Sequence, residues 1–590
     1  MYTDFYVDKT SQTFADTLVA FGLARVLADL LERQGARGQN IPIRDNGPYY
    51  HLICEPGVEF ETLEELYSIP LCPIRAISTD YYSEDKLPES IPFIKWSDIS
   101  LYFQALKQKT SPENLPARPP HLDILLAINP AAIQGYNGLL FDWWTVRESQ
   151  PEVMFLLLNL YAATPNKIEP AVAEWKQLSR VKGWKVEPLT TGQQLYNPDQ
   201  GMGQNHPKAN KLNDRDKPKV NFWLTEWLRA VGFYEAAITQ LVGDEKKKAS
   251  EKDRKTLVVA SRNIGFADNQ VVMNRFREAM SDARTSILFD VLAAIRYTRT
   301  LLLYFNESDR KVRLQRLGKI KKTLVAGFYT VFYKNLGRAS STMNIAFIAL
   351  PGWIEINSAE EVSLYRGLLD ELETLTRQFD ESHSDAFNLL QHLRDFVSGD
   401  NLDAFFRFTN AFPAYYMGMK QRGKYAYSLS TSFIERLVMS TDERLSPILE
   451  SEGFQNIAYA IRQSTVIAQY WTQEDKKRGG RYPYDIRYGL GQELSRRARN
   501  KKEFLADLTG FLQKYSAETA QVEELMRKRD MSFPFSHQRK QIKTSDIDDI
   551  MRLIDEFGSE TVANLLIAYG YARMPREDAF DNETEQESNQ

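Results

Sequence analysis

The stretch GFQNIAYAIRQSTV, Gly453–Val466, decides how the last third of the chain reads. Phe454, Ile457, Ala458 and Ile461, with Ile467 just beyond, recur at three- and four-residue steps and lay one apolar stripe along a helix. Upstream, Ser440, Thr441 and Asp442 offer capping side chains. The same periodicity returns in Phe504–Tyr515, Val522–Met526 and Ile547–Ala572. Residues 440–573 therefore read as a C-terminal bundle of about four or five helices.

Working outward, residues 221–439 read as a mainly helical middle domain. Phe222, Trp223, Trp227, Leu228 and Val231 suggest a short amphipathic helix ending at Gly232, and Thr256–Ala260 a short strand. Helices are expected over about Asn269–Tyr304, after Arg310, and over about Glu360–Phe379, with the pattern continuing through Phe387–Phe396 and Ala404–Phe408. The first 220 residues read as an irregular mixed α/β domain. Its first helix starts at a cap on Thr13 or Ser11, runs through Phe14, Leu18, Phe21, Leu27, Leu30 and Leu31, and stops at Gly35. Extended candidates follow at Tyr49–Cys54, Phe93–Lys95 and His121–Ala127, between Pro- and Gly-rich connections. The fold class expected is α+β, mostly helical. Residues 574–590, six acids against Arg576, read as a disordered acidic tail.

The whole-chain charge of −4 conceals two basic stretches. Lys476–Lys502 carries ten Lys/Arg against Asp485 and Glu493, a net +8, with Tyr482, Tyr484 and Tyr488 interleaved. Arg310–Lys322 carries seven Lys/Arg and no acid. Cations with ring faces between them suit a nucleic-acid backbone and its unpaired bases; a solvated helix face gives the same pattern. Asn197–Lys219, nearly free of apolar side chains, carries Lys208 and Lys211 and is either a mobile linker or a loop that orders on nucleic acid.

Length and composition bound the rest. At 590 residues, 43% hydrophobic, the chain can support several cores. Two cysteines, Cys54 and Cys72, make no disulfide framework, the N-terminus lacks signal-peptide regions, and no apolar run suits a bilayer span. A cytoplasmic protein without membrane association is expected. No His-Asp dipeptide, GxxxxGK[ST] loop or HExxH occurs, and His383 and His392, nine residues apart, lie on opposite faces of a helix. The carboxylates Asp546, Asp548 and Asp549, and Glu360, Glu361 and Asp370, leave open a metal-dependent nuclease. Asp546 also suits a helix start. No catalytic residue, cofactor or metal is expected.

Binding features are richer. NPAAIQGYNGLLFDWW, Asn129–Trp144, reads as a tight turn after an apolar strand, presenting Gln134, Gly135, Tyr136, Asn137 and Gly138. Gln and Asn carry both donor and acceptor and can read base edges, although Asn-Gly alone also signals a hairpin turn. In Asn401–Lys424, Phe405, Phe406, Phe408 and Phe412 read as core and Lys420, Arg422 and Lys424 as free for phosphate.

Taken in order, these parts resemble the large subunit of type I CRISPR effector complexes (Cascade) of the subtype A and B group. The resemblance rests on FADTLVAFGLARVL (Phe14–Leu27), NPDQGMGQNHPKAN (Asn197–Asn210), LTEWLRAVGFYEAAI (Leu224–Ile238), DRKTLVVASRNI (Asp253–Ile264) and GFQNIAYAIRQSTV. It implies a non-catalytic subunit that reads the protospacer-adjacent motif on duplex DNA, opens the duplex and holds the displaced strand, while guide RNA reads the sequence. Implied partners are crRNA, the other Cascade subunits, target DNA, and a helicase-nuclease or, in transposon-encoded variants, a transposition adaptor. On this resemblance Gln134, Tyr136 and Asn137 would read the motif and wedge the duplex. Lys208 and Lys211 would contact backbone, and Lys476, Lys477, Arg478, Arg481, Arg496, Arg497 and Arg499 would hold single strand. The bundle would resemble the small subunit, for which Met439 could be a separate start. A non-nucleic-acid scaffold is the other reading of the basic runs.

Overall fold

A computed structural model describes residues 2–574 apart from 60–70, 78–92, 95, 109, 112–113, 117–121, 129–131, 199–219, 244–246, 248–250, 283–285, 308–317, 337–339, 400–401 and 529–536. Helix takes 61% and strand 16%, so the protein is α+β and mostly helical, as expected. The chain forms two compact units: residues 1–286 with 320–350, and residues 287–319 with 351–590. Positions 220 and 439 each fall inside a unit.

The first unit is built on the helix Phe14–Arg33 packed along Trp223–Ala236. The hydroxyl of Thr13 accepts from the Ala15 amide at the start of the first helix. Its end is a left-handed turn at Gly35, where the Gly35 and Ala36 amides donate to the Glu32 and Leu31 carbonyls. Most of this helix is buried, because it lies inside the unit and not on its surface. Gly22 and Gly232 let the two backbones meet: a side chain on either would strike the carbonyl of Leu228 or Leu18. Gly232 is therefore not the stop expected of it. It is a close-approach residue inside a helix that continues to Ala236.

Two antiparallel sheets flank this pair. One runs in the order Tyr2–Asp8, Tyr49–Val58, Pro42–Asp45, Asn263–Gly265. The other runs Ser340–Ala349, Val325–Asn335, Asp253–Ser261, Ala237–Val242. The strands at Tyr49, Phe93 and Thr256 were expected; the hairpin Val325–Ala349 was not. Of the helix expected after Arg310, residues 311–317 lie outside the described residues, and Ile320–Thr323 is a single helical turn before the hairpin. Val325–Asn335 is buried on both faces, so its sequence shows no clean alternation. His121–Ala127 was expected to be extended; its described part, Leu122–Ala127, is helical. The single helix expected over Asn269–Tyr304 is two, Phe266–Ala279 and Ser286–Phe305.

The second unit is helical. Glu360–Arg377, Ser384–Ser398 and Leu402–Gln421 lead into Thr431–Thr441, Glu452–Ser464, Val466–Lys477, Leu490–Arg496, Lys501–Lys528, Thr544–Phe557 and Ser559–Gly570. The stripe helix is capped by Ser451, whose hydroxyl accepts from Phe454 N, and not by Ser440–Asp442. Ser440 and Thr441 instead end the preceding helix. Phe504–Tyr515 and Val522–Met526 belong to one helix of 28 residues, and the segment Ile547–Ala572 breaks at Gly558, φ +84°.

Candidate nucleic-acid interface

The Gln134–Asn137 segment is not a turn. It opens the helix Ile133–Thr145, whose inner side carries Tyr136, Asn137, Leu139, Leu140 and Trp143. Asn137 is fully buried and works as a main-chain substitute: its Oδ1 accepts from Ile77 N at 3.0 Å and its Nδ2 donates to Ile77 O at 3.1 Å. Tyr136, also fully buried, donates from its hydroxyl to Arg75 O at 2.7 Å and shares a short hydrogen bond with the Tyr234 hydroxyl. Burial drives its phenol well above the ordinary range, so it remains a neutral donor. Trp143 fixes the helix by stacking on Trp227, ring centres 3.7 Å apart, and donating to Leu71 O. Of the three motif-reading candidates only Gln134 is exposed. The expectation that Tyr136 stacks on a base and Asn137 reads one is corrected: both side chains are spent inside the core. Farther along the same helix stands half-buried Asp142, its carboxyl pushed up to about 6 by burial.

Lys208 and Lys211 lie outside the described residues, as does most of Arg310–Lys322. Of that second basic stretch, Lys319 lies 3.8 Å from Glu355, and Lys322 is exposed.

The Lys476–Lys502 stretch is spread over the end of Val466–Lys477, a loop, Leu490–Arg496 and the start of Lys501–Lys528. Its aromatic residues divide. Tyr482 and Tyr484 are buried, while Tyr488 is exposed. Tyr482 packs on His537, which pairs with Asp475 at 2.9 Å; the Arg539 guanidinium lies 3.8 Å over Tyr484 and 4.8 Å over Tyr515. Glu518 draws the loop down by accepting from the Asp485 amide and from Arg539, each at 2.8 Å. Two of the three ring faces expected to meet bases therefore hold the loop to the bundle.

The cations divide as well. Arg497 faces Asp507 at 3.3 Å and Glu503 at 3.8 Å, Arg499 faces Glu560 at 3.1 Å, Lys501 pairs with Asp555, and Lys477 with Glu474. Among the described residues, Lys476, Arg478, Arg481, Arg496 and Lys502 have no acidic partner, and all five are exposed. They are the cations the region offers to solvent, and they outnumber the exposed acids of the same stretch, Asp485 and Glu493. Lys540, exposed and adjacent to the stacked Arg539, belongs to the same neighbourhood. The sequence reading missed it, though the short run Arg539-Lys540-Gln541-Ile542-Lys543 is a usable signal.

The carboxylates have structural work. Asp546 is buried at the third position of its helix, accepting from Lys543 N at 2.8 Å and Asn456 Nδ2 at 2.9 Å. Asp370 accepts from Arg299 at 2.7 Å, and buried Glu373 from Arg296 at 2.7 Å. Among the described residues no group of three His, Cys, Asp or Glu side chains could hold a metal ion, and no helix is long and apolar enough to cross a membrane. Burial pushes the Cys54 thiol up to about 12 and Cys72 to about 11, so neither supplies a thiolate at neutral pH.

No protein-family model matches the chain, and no curated protein matches it.

Proposed function

We propose that this chain is a non-catalytic, DNA-recognising subunit of a type I CRISPR RNA-guided surveillance complex, and that its second unit holds the displaced single strand. The observation that carries the reading is the set of exposed cations that have no acidic partner among the described residues, Lys476, Arg478, Arg481, Arg496 and Lys502, in one stretch of sequence with the exposed ring of Tyr488. Guanidinium and ammonium groups left over after internal pairing are available to phosphate, and one free tyrosine face is available to a base. The sequence resemblance supplies the biological setting. Gln134 remains the exposed candidate for motif reading. Lys208 and Lys211 remain backbone candidates on their sequence alone. Guide RNA, the other subunits and a helicase-nuclease or transposition adaptor are the partners this reading requires.

The test is binding of the assembled, guide-loaded complex to target DNA across a salt series. Joint reversal of Arg478, Arg481 and Arg496 to Glu should lower affinity and reduce the salt slope by roughly 0.7 per lost single-strand phosphate contact. An unchanged slope returns the region to a solvated helix face. The nuclease alternative predicts divalent-metal-dependent cleavage by the purified chain, abolished by Asp548→Ala.

A further inference from the structure

We propose that two copies of this chain pair edge to edge through the strand Ser340–Ala349. This inference does not depend on the nucleic-acid reading.

The strand is the outer member of its sheet, hydrogen-bonded on one side to Val325–Asn335. The register shows which of its main-chain groups are free. Leu350 N donates to Ala326 O, so the opposed positions 326 and 350 are a hydrogen-bonded pair. Alternation along the ladder then makes Phe328–Ile348, Thr330–Ala346 and Phe332–Asn344 bonded pairs, and Tyr329–Phe347 and Val331–Ile345 non-bonded pairs. The N–H and C=O of Ile345 and Phe347 therefore point away from the sheet. Among the described residues no main-chain group bonds to them. The side chains of the same two residues stand on one face, where the Phe347 ring meets Tyr329 edge-on at 5.4 Å. Ile345 is 48% exposed and Phe347 45%, with Met343 next to them at 63%.

Proteins commonly blunt such an edge with lysine, proline or inward charge. Ser340–Ala349, SSTMNIAFIA, contains none of these. Its one irregularity falls opposite Phe332 and Tyr333, at the Met343 end, and leaves Asn344–Phe347 regular. The occupant this edge fits is an extended, uncharged strand with apolar side chains at alternate positions. The chain's own edge meets that description. A two-fold axis near Ala346 sets Ile345 opposite Phe347 of the second copy and Phe347 opposite its Ile345. Each such pair exchanges both main-chain hydrogen bonds and joins an aromatic to a β-branched side chain. Charge complementarity points the same way: an uncharged strand gives a polyanion nothing to hold, whereas two uncharged strands meet without repulsion. The segment that follows Pro198, whose carbonyl accepts from the Thr342 hydroxyl at 3.0 Å, has no alternating apolar run in its sequence and lacks the chemistry to compete.

The experiment is sedimentation velocity with light scattering on nuclease-treated full-length chain, from low to tens of micromolar, at low and high salt. The mass should rise from one chain to two with concentration, equally at both salt levels, because no charge takes part. Ile345→Pro removes an outward N–H while leaving the inner ladder intact, a position where an edge strand tolerates proline. Phe347→Lys places a like charge on both copies. Each should weaken association by at least about tenfold with unchanged circular dichroism. The double variant Ile345→Cys, Phe347→Cys should form an intermolecular disulfide under mild oxidation. One-chain mass at every concentration overturns the proposal, and so does a dimer indifferent to Phe347→Lys. If Ile345→Pro fails to fold, Phe347→Lys still decides.

Discussion

Gln134–Asn137 and Lys476–Lys502 look alike as sequence, each a polar stretch with tyrosine, but the fold treats them in opposite ways. The first turns inward: Asn137 replaces a missing main-chain partner for Ile77, and Tyr136 bridges to Arg75 and Tyr234. The second faces outward, its surplus cations in water and its buried tyrosines serving as anchors. Side-chain physics explains the difference. An amide or phenol can be buried at little cost once its hydrogen bonds are made, so its presence does not say where it lies. A guanidinium or ammonium is buried only with a partner, as Arg539 is with Glu518, so an excess of them over acids must reach the surface.

The contrast can be broken by mutation. The largest effect is expected from Tyr136→Ala with Asn137→Leu. The pair should cost about 4–6 kcal/mol by leaving a cavity and orphaning the main chain of Ile77. Chemical denaturation measures it, and a loss below about 1 kcal/mol would mean these residues are not the internal supports the structure makes them.

Asp142→Asn tests the same helix through pH. In the folded chain this carboxyl holds its proton up to about 6, against 3.8 when unfolded, so the folded state binds more protons between those values. Stability therefore falls as pH rises through that window, and the penalty is complete above it. Since the group is only half-buried, Asn should gain about 1 kcal/mol at neutral pH, allowing for solvent screening. It should also flatten the decline between pH 4 and 6. A parallel pH profile for the two proteins would place the titration elsewhere.

Arg478→Glu with Arg481→Glu should leave stability within about 0.5 kcal/mol while weakening target binding, the reverse of the Tyr136 and Asn137 pattern. Gln134→Ala, at an exposed position, should change stability least, by under about 0.5 kcal/mol. It should show itself only in preference among flanking motifs, read from binding to a randomised-motif target pool.

The first helix was legible because Thr13 and Gly35 bound an apolar run with local signals that need no partner. The two helices on either side of Gly558 and the strand at Tyr49 were legible in part for the same reason. Gly232 was misread because the feature that makes a glycine end a helix, the missing side chain, also lets two helices touch. Only the position of Leu18 tells the cases apart. The hairpin Val325–Ala349 was missed because its inner strand is buried on both faces, which removes the alternation that marks a strand. At the candidate site, the sequence presents Arg497 and Arg499 as binding cations, whereas the fold sets Asp507 and Glu560 opposite them, the second of these about 60 residues away.

The sequence by itself determined the mostly helical α+β class, the surplus of positive charge between Lys476 and Lys502, and the caps of the first helix. These depend on composition, periodicity and neighbours a few residues apart. The tertiary structure alone decided which tyrosines anchor and which are exposed, which arginines are matched by acids, and that among the described residues Ser340–Ala349 is the outer strand of its sheet, with exposed apolar side chains. Each of those depends on residues distant in sequence meeting in space, where burial and pairing set what a side chain can still do.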